Sequence, residues 1–186
     1  MQQQARRSLL RTLSLLPLLS LLLLGAACSV QVPAGISPVQ DFALQPYLGR
    51  WYEIARLDHS FERGLSRVTA DYSLRDDGGV RVLNRGFDAS KNAWKDAEGR
   101  AYFVQDRSTG FLKVSFFGPF FGSYIIIDHD PQSYSLVSGP DRSYLWILAR
   151  TPTLPEATLQ RLLAQATALG FDISALIYVE AADSSN

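Results

Sequence analysis

The chain has 186 residues, with 18 basic and 18 acidic side chains, 47% hydrophobic residues and one cysteine. That length and composition fit a single domain with a sizeable core. Arg6, Arg7 and Arg11 lie in the first 27 residues, which hold no acid; removing those three arginines leaves 15 basic against 18 acidic residues. A mildly acidic mature chain argues against a nucleic-acid partner, which would require a basic face, and no block of like charge marks an interaction tail.

The amino-terminal arginines precede an apolar run, Thr12 to Leu24, too short to span a bilayer and typical of a signal-peptide core. The run ends in Leu24-Gly25-Ala26-Ala27-Cys28, which resembles a bacterial lipobox with glycine where leucine is commonest. Residues 1–27 therefore read as a lipoprotein-type signal peptide and Cys28 as the lipid anchor, carrying a thioether-linked diacylglycerol and an N-acyl chain of the palmitate kind. Three acyl chains would hold the protein firmly, since each buried CH₂ contributes about 0.8 kcal/mol. Ser29 in the next position, instead of aspartate, resembles lipoproteins sent on to the outer membrane. With Cys28 committed, no thiol remains for a disulfide, a metal site or a cysteine nucleophile.

Residues 28–46 hold Pro33, Pro38 and Pro46 without strong periodicity and read as the lipidated terminus and a tether, with a short turn near Phe42. From Gly49 the pattern changes to short β-rich runs separated by turn signals, as in an all-β barrel or sandwich. Eight strands are predicted: 49–57, 67–75, 79–87, 98–106, 111–117, 122–129, 133–138 and 143–150. Asp76-Asp77-Gly78-Gly79, Asp130-Pro131 and Gly139-Pro140-Asp141 supply the turns. Thr153 to Glu156 has the form of a capping box. Leu159, Leu162, Leu163, Ala166 and Leu169 then form one apolar helical stripe, and Gly170 is placed to end it. This helix should pack outside the barrel. A short last strand, Leu176–Val179, could pair at its edge, and residues 181–186 form a polar tail.

In an eight-stranded up-and-down meander, the start of the first strand and the end of the eighth share one rim. Trp51 and Arg150 are thus predicted neighbours, a guanidinium covering an indole that closes the barrel, an arrangement that contributes roughly 0.5–2 kcal/mol.

Gly49-Arg50-Trp51-Tyr52-Glu53-Ile54, Asp130-Pro131-Gln132-Ser133-Tyr134 and Ala149-Arg150, in that order, resemble the three motifs of the lipocalins. Residues 112–124 and 139–152 look like the bacterial lipocalin and apolipoprotein D branch in particular. The resemblance spans about Tyr47 to Val179 and implies an eight-stranded antiparallel calyx over 47–180 with one carboxy-terminal helix outside. Such barrels have room for one small ligand. Gly49, Trp51 and Arg150 would be its structural signature.

Side chains alternate across a strand. Counting back by twos from Arg150 puts Leu148, Trp146 and Tyr144 inside, and the resemblance places that tryptophan on the calyx wall. It also projects Tyr124 into the cavity near the mouth. Val114 and Phe116 follow from the fifth strand, and Val82 and Asn84 from the third, while the phases of the second and fourth stay open. For each of these residues plain core packing is the alternative. A mostly apolar lining with a few polar groups, Glu53 among the candidates, suits an acyl chain with a polar head near the rim. The stretch Phe116-Phe117-Gly118-Pro119-Phe120-Phe121 falls at the open mouth. It either folds back on the barrel or forms an apolar lip for membrane lipid or a second copy.

Catalysis is poorly supported. Asp58-His59-Ser60 alternates faces where a triad must converge, and Asp128-His129-Asp130 falls at the closed side. Two histidines and no spare cysteine leave little for a metal, and no cofactor is expected. The expected function is binding, storage or transport of a lysophospholipid or fatty acid at the outer membrane, facing the periplasm, in membrane maintenance under stress. A structural envelope lipoprotein without a ligand, or a lipid-modifying enzyme, are the alternatives. Members of that branch can dimerise, so the resemblance also carries a homodimer as an expectation.

Overall fold

The computed structural model describes residues 30–180. The leader 1–27, Cys28, Ser29 and the tail 181–186 lie outside the described residues. Nine strands form one sheet: β1 (Gly49–Leu57), β2 (Leu65–Leu74), β3 (Val80–Asp88), β4 (Ala93–Phe103), β5 (Phe111–Phe117), β6 (Phe120–Asp130), β7 (Tyr134–Ser138), β8 (Leu145–Ala149) and β9 (Leu176–Tyr178). Sequential neighbours pair antiparallel from β2 through to β8. β1 pairs both β8 and β2, which closes the barrel, and β9 adds at the edge of β1.

The eight expected barrel strands are all present, with shifted ends. β4 begins at Ala93, five residues ahead of the expected 98, because Ala93 to Ala97 continue the ladder along β3. β8 is shorter than expected: Gly139 to Tyr144 is a turn in which the Tyr144 amide bonds the Asp141 carbonyl, and Arg150 lies past the last ladder residue.

Two apolar layers stabilise the barrel. One fills its closed half, around Phe42, Tyr47, Trp51, Ile126 and Val137. The other lies outside the wall, where α2 (Glu156–Ala168) buries Leu162, Leu163 and Ala166 against Ala55, Ile125, Leu136 and Ile147. The stripe read from the sequence is thus the face that docks. The capping box is not formed: Pro155 occupies the N-cap position without a side-chain cap, and the Thr153 carbonyl instead accepts from the Thr151 hydroxyl at 2.7 Å. At the other end Gly170 (φ +83°) donates to the Thr167 carbonyl and Phe171 to Ala166. This is the Schellman closure that favours glycine at a positive φ.

The segment expected to be a tether is held to the barrel from Gln31 onward. Ile36 and Phe42 are buried, and α1 (Leu44–Tyr47) lies across the barrel's end and buries Tyr47. Among the described residues no helix is long and apolar enough to cross a membrane.

Candidate ligand-binding site

The closed end is built from β1 and the chain after β8. Trp51 is fully buried, its indole N–H donating to the Tyr47 carbonyl at 2.9 Å. The Arg150 guanidinium lies 3.7 Å from the indole centroid. It donates to the carbonyls of Pro131 (2.8 Å), Arg50 (2.7 Å), Pro46 (2.7 Å) and Leu48 (3.0 Å). One cation thus ties the 46–50 stretch and the β6–β7 turn together over the ring that plugs the barrel.

Above this floor is a cavity that encloses ≈ 880 Å³ when the space at its open mouth is counted. Seven side chains expected inside line it: Val82 and Asn84 from β3, Val114 and Phe116 from β5, Tyr124 from β6, and Trp146 and Leu148 from β8. Glu53 of β1 lines it as well. The open phases resolve to Val68, Ala70 and Tyr72 on β2 and Ala101 on β4.

Two expectations need correction. Tyr144 does not line the cavity. It precedes β8 in a turn, where strand alternation no longer applies, and its ring stacks 6.1 Å from Trp146 and 5.7 Å from His59. Tyr124 enters the cavity but reaches toward the floor instead of the mouth. Its hydroxyl meets that of Tyr47 at 2.9 Å and that of Tyr72 at 3.0 Å, and Tyr47 also meets Ser135 at 2.8 Å. Burial pushes Tyr47 up to about 12 against the hydrogen bonds from Ser135 and Tyr124, and raises Tyr72 and Tyr124 further. The lower cavity therefore carries three neutral phenols in one hydrogen-bonded chain.

A second polar group sits in the upper wall. Arg56, 1% exposed, donates to Glu53 Oε1 at 2.5 Å and to the carbonyls of Glu62 (2.9 Å) and Leu65 (3.1 Å). The last two contacts pin the β1–β2 connection, which brings Glu62 and Phe61 into the cavity wall. Glu62 Oε2 accepts from the Trp146 indole N–H at 3.1 Å. Burial pushes the Glu53 carboxyl up to about 8; the nearby Glu62 carboxylate adds to this and Arg56 opposes it. Burial also raises Glu62, against the Trp146 hydrogen bond and Arg56. His59 is held down to about 4 by burial and by Arg56, so its ring is neutral. It lies 3.4 Å from Glu62 Oε2, off the hydrogen-bonding direction, and forms no ion pair there. A cavity with two neighbouring carboxyls and an unpartnered Asn84 Oδ1 in its wall, and the buried Arg56 behind Glu53, can recognise a polar head while its apolar walls take a chain.

Tyr47, Tyr72, Phe61 and Glu62 escaped the sequence reading. Alternation in β2 is broken by a register shift between Ser66 and Thr69, and the other three depend on how α1 and the β1–β2 connection fold over the barrel.

The sequence profile of the lipocalin-like domain matches residues 42–181. The chain belongs to the lipocalin family. It is 55% identical over 151 residues to the outer membrane lipoprotein Blc of Vibrio cholerae, covering 80% of this chain and 88% of that one. It is 50% identical over 173 residues to the same-named protein of Escherichia coli, covering 92% and 98%. Among solved structures it superimposes on insecticyanin of the tobacco hornworm Manduca sexta with a TM-score of 0.67 at 22% identity, covering 83% and 89%, a likeness of fold. As a lipocalin it is a binding protein and not an enzyme.

Proposed function

We propose that this lipocalin is an outer-membrane lipoprotein, held by an acylated Cys28 with its domain in the periplasm, that binds and carries one single-chain lipid. Lysophospholipids and fatty acids are the ligand classes, and membrane maintenance under stress is the role. The carrying observation is the cavity itself: closed by Trp51 and Arg150, apolar along Val82, Ala101, Val114 and Leu148, and polar at its tyrosine chain, at Asn84 and at its Glu53–Glu62 wall. The two relatives named outer membrane lipoproteins support the location.

The energetics suit reversible carriage. An acyl chain of about sixteen carbons gains roughly 13 kcal/mol on burial at ~0.8 kcal/mol per CH₂. Lost motional freedom takes at least ~4 kcal/mol of that, which leaves binding in the micromolar range, near −8 kcal/mol. Loading is partition with no covalent step: the tail passes the mouth, and the head group stays near the polar wall.

The test is native mass spectrometry of the protein purified from membranes, followed by lipid extraction. One lipid per chain is expected. A protein that emerges empty and takes up no lysophospholipid on incubation would favour the structural envelope reading instead.

A further inference from the structure

The floor of the cavity carries one hydrogen-bond donor too many. Tyr47 arrives on α1, Tyr72 on β2, Tyr124 on β6 and Ser135 on β7. Their hydroxyls form one line, Ser135–Tyr47–Tyr124–Tyr72, with neighbouring oxygens 2.8, 2.9 and 3.0 Å apart. Among the described residues, none of the four oxygens has a partner outside this line. Burial holds the three phenols above their ordinary value, so each keeps its proton. A hydroxyl has one hydrogen to give. Four hydrogens and three bonds leave one O–H without an acceptor, whichever way the line is polarised.

Where that hydrogen points is decided by what it can meet. Ser135 is fully buried and does not line the cavity, so a spare hydrogen there would meet no acceptor. Tyr47, Tyr72 and Tyr124 all line the cavity. The line is therefore polarised from Ser135 toward the phenols, and the spare O–H faces the cavity, on Tyr72 at the end of the line or on Tyr124 beside it. The rings that carry it are held fast. Tyr47 and Tyr72 stack at 5.9 Å, Tyr124 stands edge-on to Tyr72 at 6.2 Å, and Tyr47 packs on Trp51 at 4.8 Å. Val80, Val82, Ala101 and Leu112 share this buried cluster and offer only carbon. The terminal methyl of an acyl chain would leave the donor unsatisfied. A carboxylate would satisfy it but surrender its hydration without a counter-charge, since among the described residues no lysine or arginine lines the cavity. A neutral hydroxyl or carbonyl oxygen meets the donor and brings no charge with it.

We infer that the Tyr47–Tyr124–Tyr72 line is a subsite for a neutral oxygen at the far end of the bound chain, so that the preferred ligand is a single-chain lipid with a hydroxyl or keto group near its tail. This rests on lipid carriage with the head group at the Glu53–Glu62 wall, and it narrows the ligand class to chains that are polar at both ends. Because the phenols are fixed, an oxygen is favoured at one distance from the head. Elsewhere along the apolar wall it is a buried group without a partner, which weakens binding.

The test is competition on the full chain purified from membranes, read by native mass spectrometry. Equimolar pairs of an unsubstituted fatty acid and its ω-hydroxy counterpart, from dodecanoic to hexadecanoic acid, are offered to wild type and to Tyr72→Phe/Tyr124→Phe. That variant withdraws both hydroxyls at the cavity end of the line. Comparing the bound ratio between the two proteins cancels the unequal partition of the two lipids into detergent. At the chain length that reaches the floor, the ratio of hydroxylated to plain lipid should be about fivefold higher in wild type, the effect of one ordinary hydrogen bond. Equal ratios in the two proteins at every length overturn the subsite and leave lipid carriage intact. A second measurement uses wild type alone. Each ω-hydroxy acid and its mid-chain hydroxy isomer, equal in polarity, compete in separate runs against the plain acid. The ω isomer should bind better at one length of the series; isomers that bind equally throughout overturn the subsite, even where the variant fails to fold. Failure of wild type to bind any of these lipids instead defeats the carriage on which the subsite rests.

Discussion

Arg150 covers Trp51 at 3.7 Å while its guanidinium donates to four backbone carbonyls, those of residues 46, 48, 50 and 131. Hydrogen bonds to a charged group contribute about 1.5–3 kcal/mol each and are not additive. Arg150→Ala should therefore lower unfolding stability by about 2–4 kcal/mol in urea titrations. Arg150→Lys should recover less than half, because an ammonium cannot fork toward four acceptors. Lipid affinity of the folded fraction should stay near wild type, since Arg150 does not line the cavity.

That pair was legible from counting alone, because a closed meander brings its first and eighth strands to one rim. Trp146 and Leu148 were legible for a similar reason: β8 keeps strict alternation across the two residues concerned. Tyr144 was not, because its strand ends before it. Tyr72 sits beyond a bulge that reverses phase, and Tyr47 belongs to a proline-punctuated segment whose docking depends on tertiary contacts. The Thr153 capping signal was real as a pattern, but Pro155 lies where the helix starts and the loop satisfies Thr153 locally. Sequence thus showed the vessel and the lining contributed by β3, β5, β6 and β8. Tyr47 and Glu62 came from segments folded over the barrel.

The carboxyl pair predicts a pH dependence of stability. Glu53 has an ordinary carboxyl value of 4.5 when unfolded and about 8 when folded, so the folded state holds the extra proton between those values. Its stabilisation is complete below about 4.5 and is lost as pH rises through about 8, with a slope of up to about 1.4 kcal/mol per pH unit per proton. His59 has the opposite sign, with a folded value of about 4 against 6.5, and opposes Glu53 below pH 6.5. The clean window is pH 6.5 to 8. Glu62, also raised by burial, acts in the same direction, so urea midpoints should fall across it in wild type and fall less steeply in Glu53→Gln; equal slopes in the two proteins would refute the assignment.

Tyr124→Phe removes the hydroxyl that joins Tyr47 to Tyr72. Tyr47 keeps Ser135, but Tyr72 loses the one partner its hydroxyl is seen to have. Leaving a buried hydroxyl unpaired costs about 1–3 kcal/mol, so thermal unfolding should occur at lower temperature. Tyr72→Phe/Tyr124→Phe should be less destabilising than the single change, because no orphan remains. If the double variant is instead worse by the sum of two singles, the chain does not act as a unit.

Gly170 ends α2 at φ +83° with the Arg142 guanidinium beside it. Gly170→Ala forces a side chain into the left-handed region and should cost about 1 kcal/mol. Because Arg142 also holds the Leu169 and Ala34 carbonyls, proteolysis within residues 30–40 should accelerate in the same variant. Unchanged cleavage would mean that the helix end and the amino-terminal segment are independent.

The central claim is that one lipid chain occupies the cavity beneath Trp146. The most direct measurement is the lipid-dependent change in emission of Trp94→Phe protein, in which Trp51 under the floor and Trp146 in the cavity wall remain, during titration with a lysophospholipid below its micelle concentration, repeated with Ala101→Phe to fill the opposite wall. The account predicts a saturable change with one lipid per chain at micromolar concentration, weakened at least about tenfold by the filled wall, as expected when ~1.4 kcal/mol of tail packing is lost. A change that never saturates, or one that Ala101→Phe leaves untouched, would contradict it.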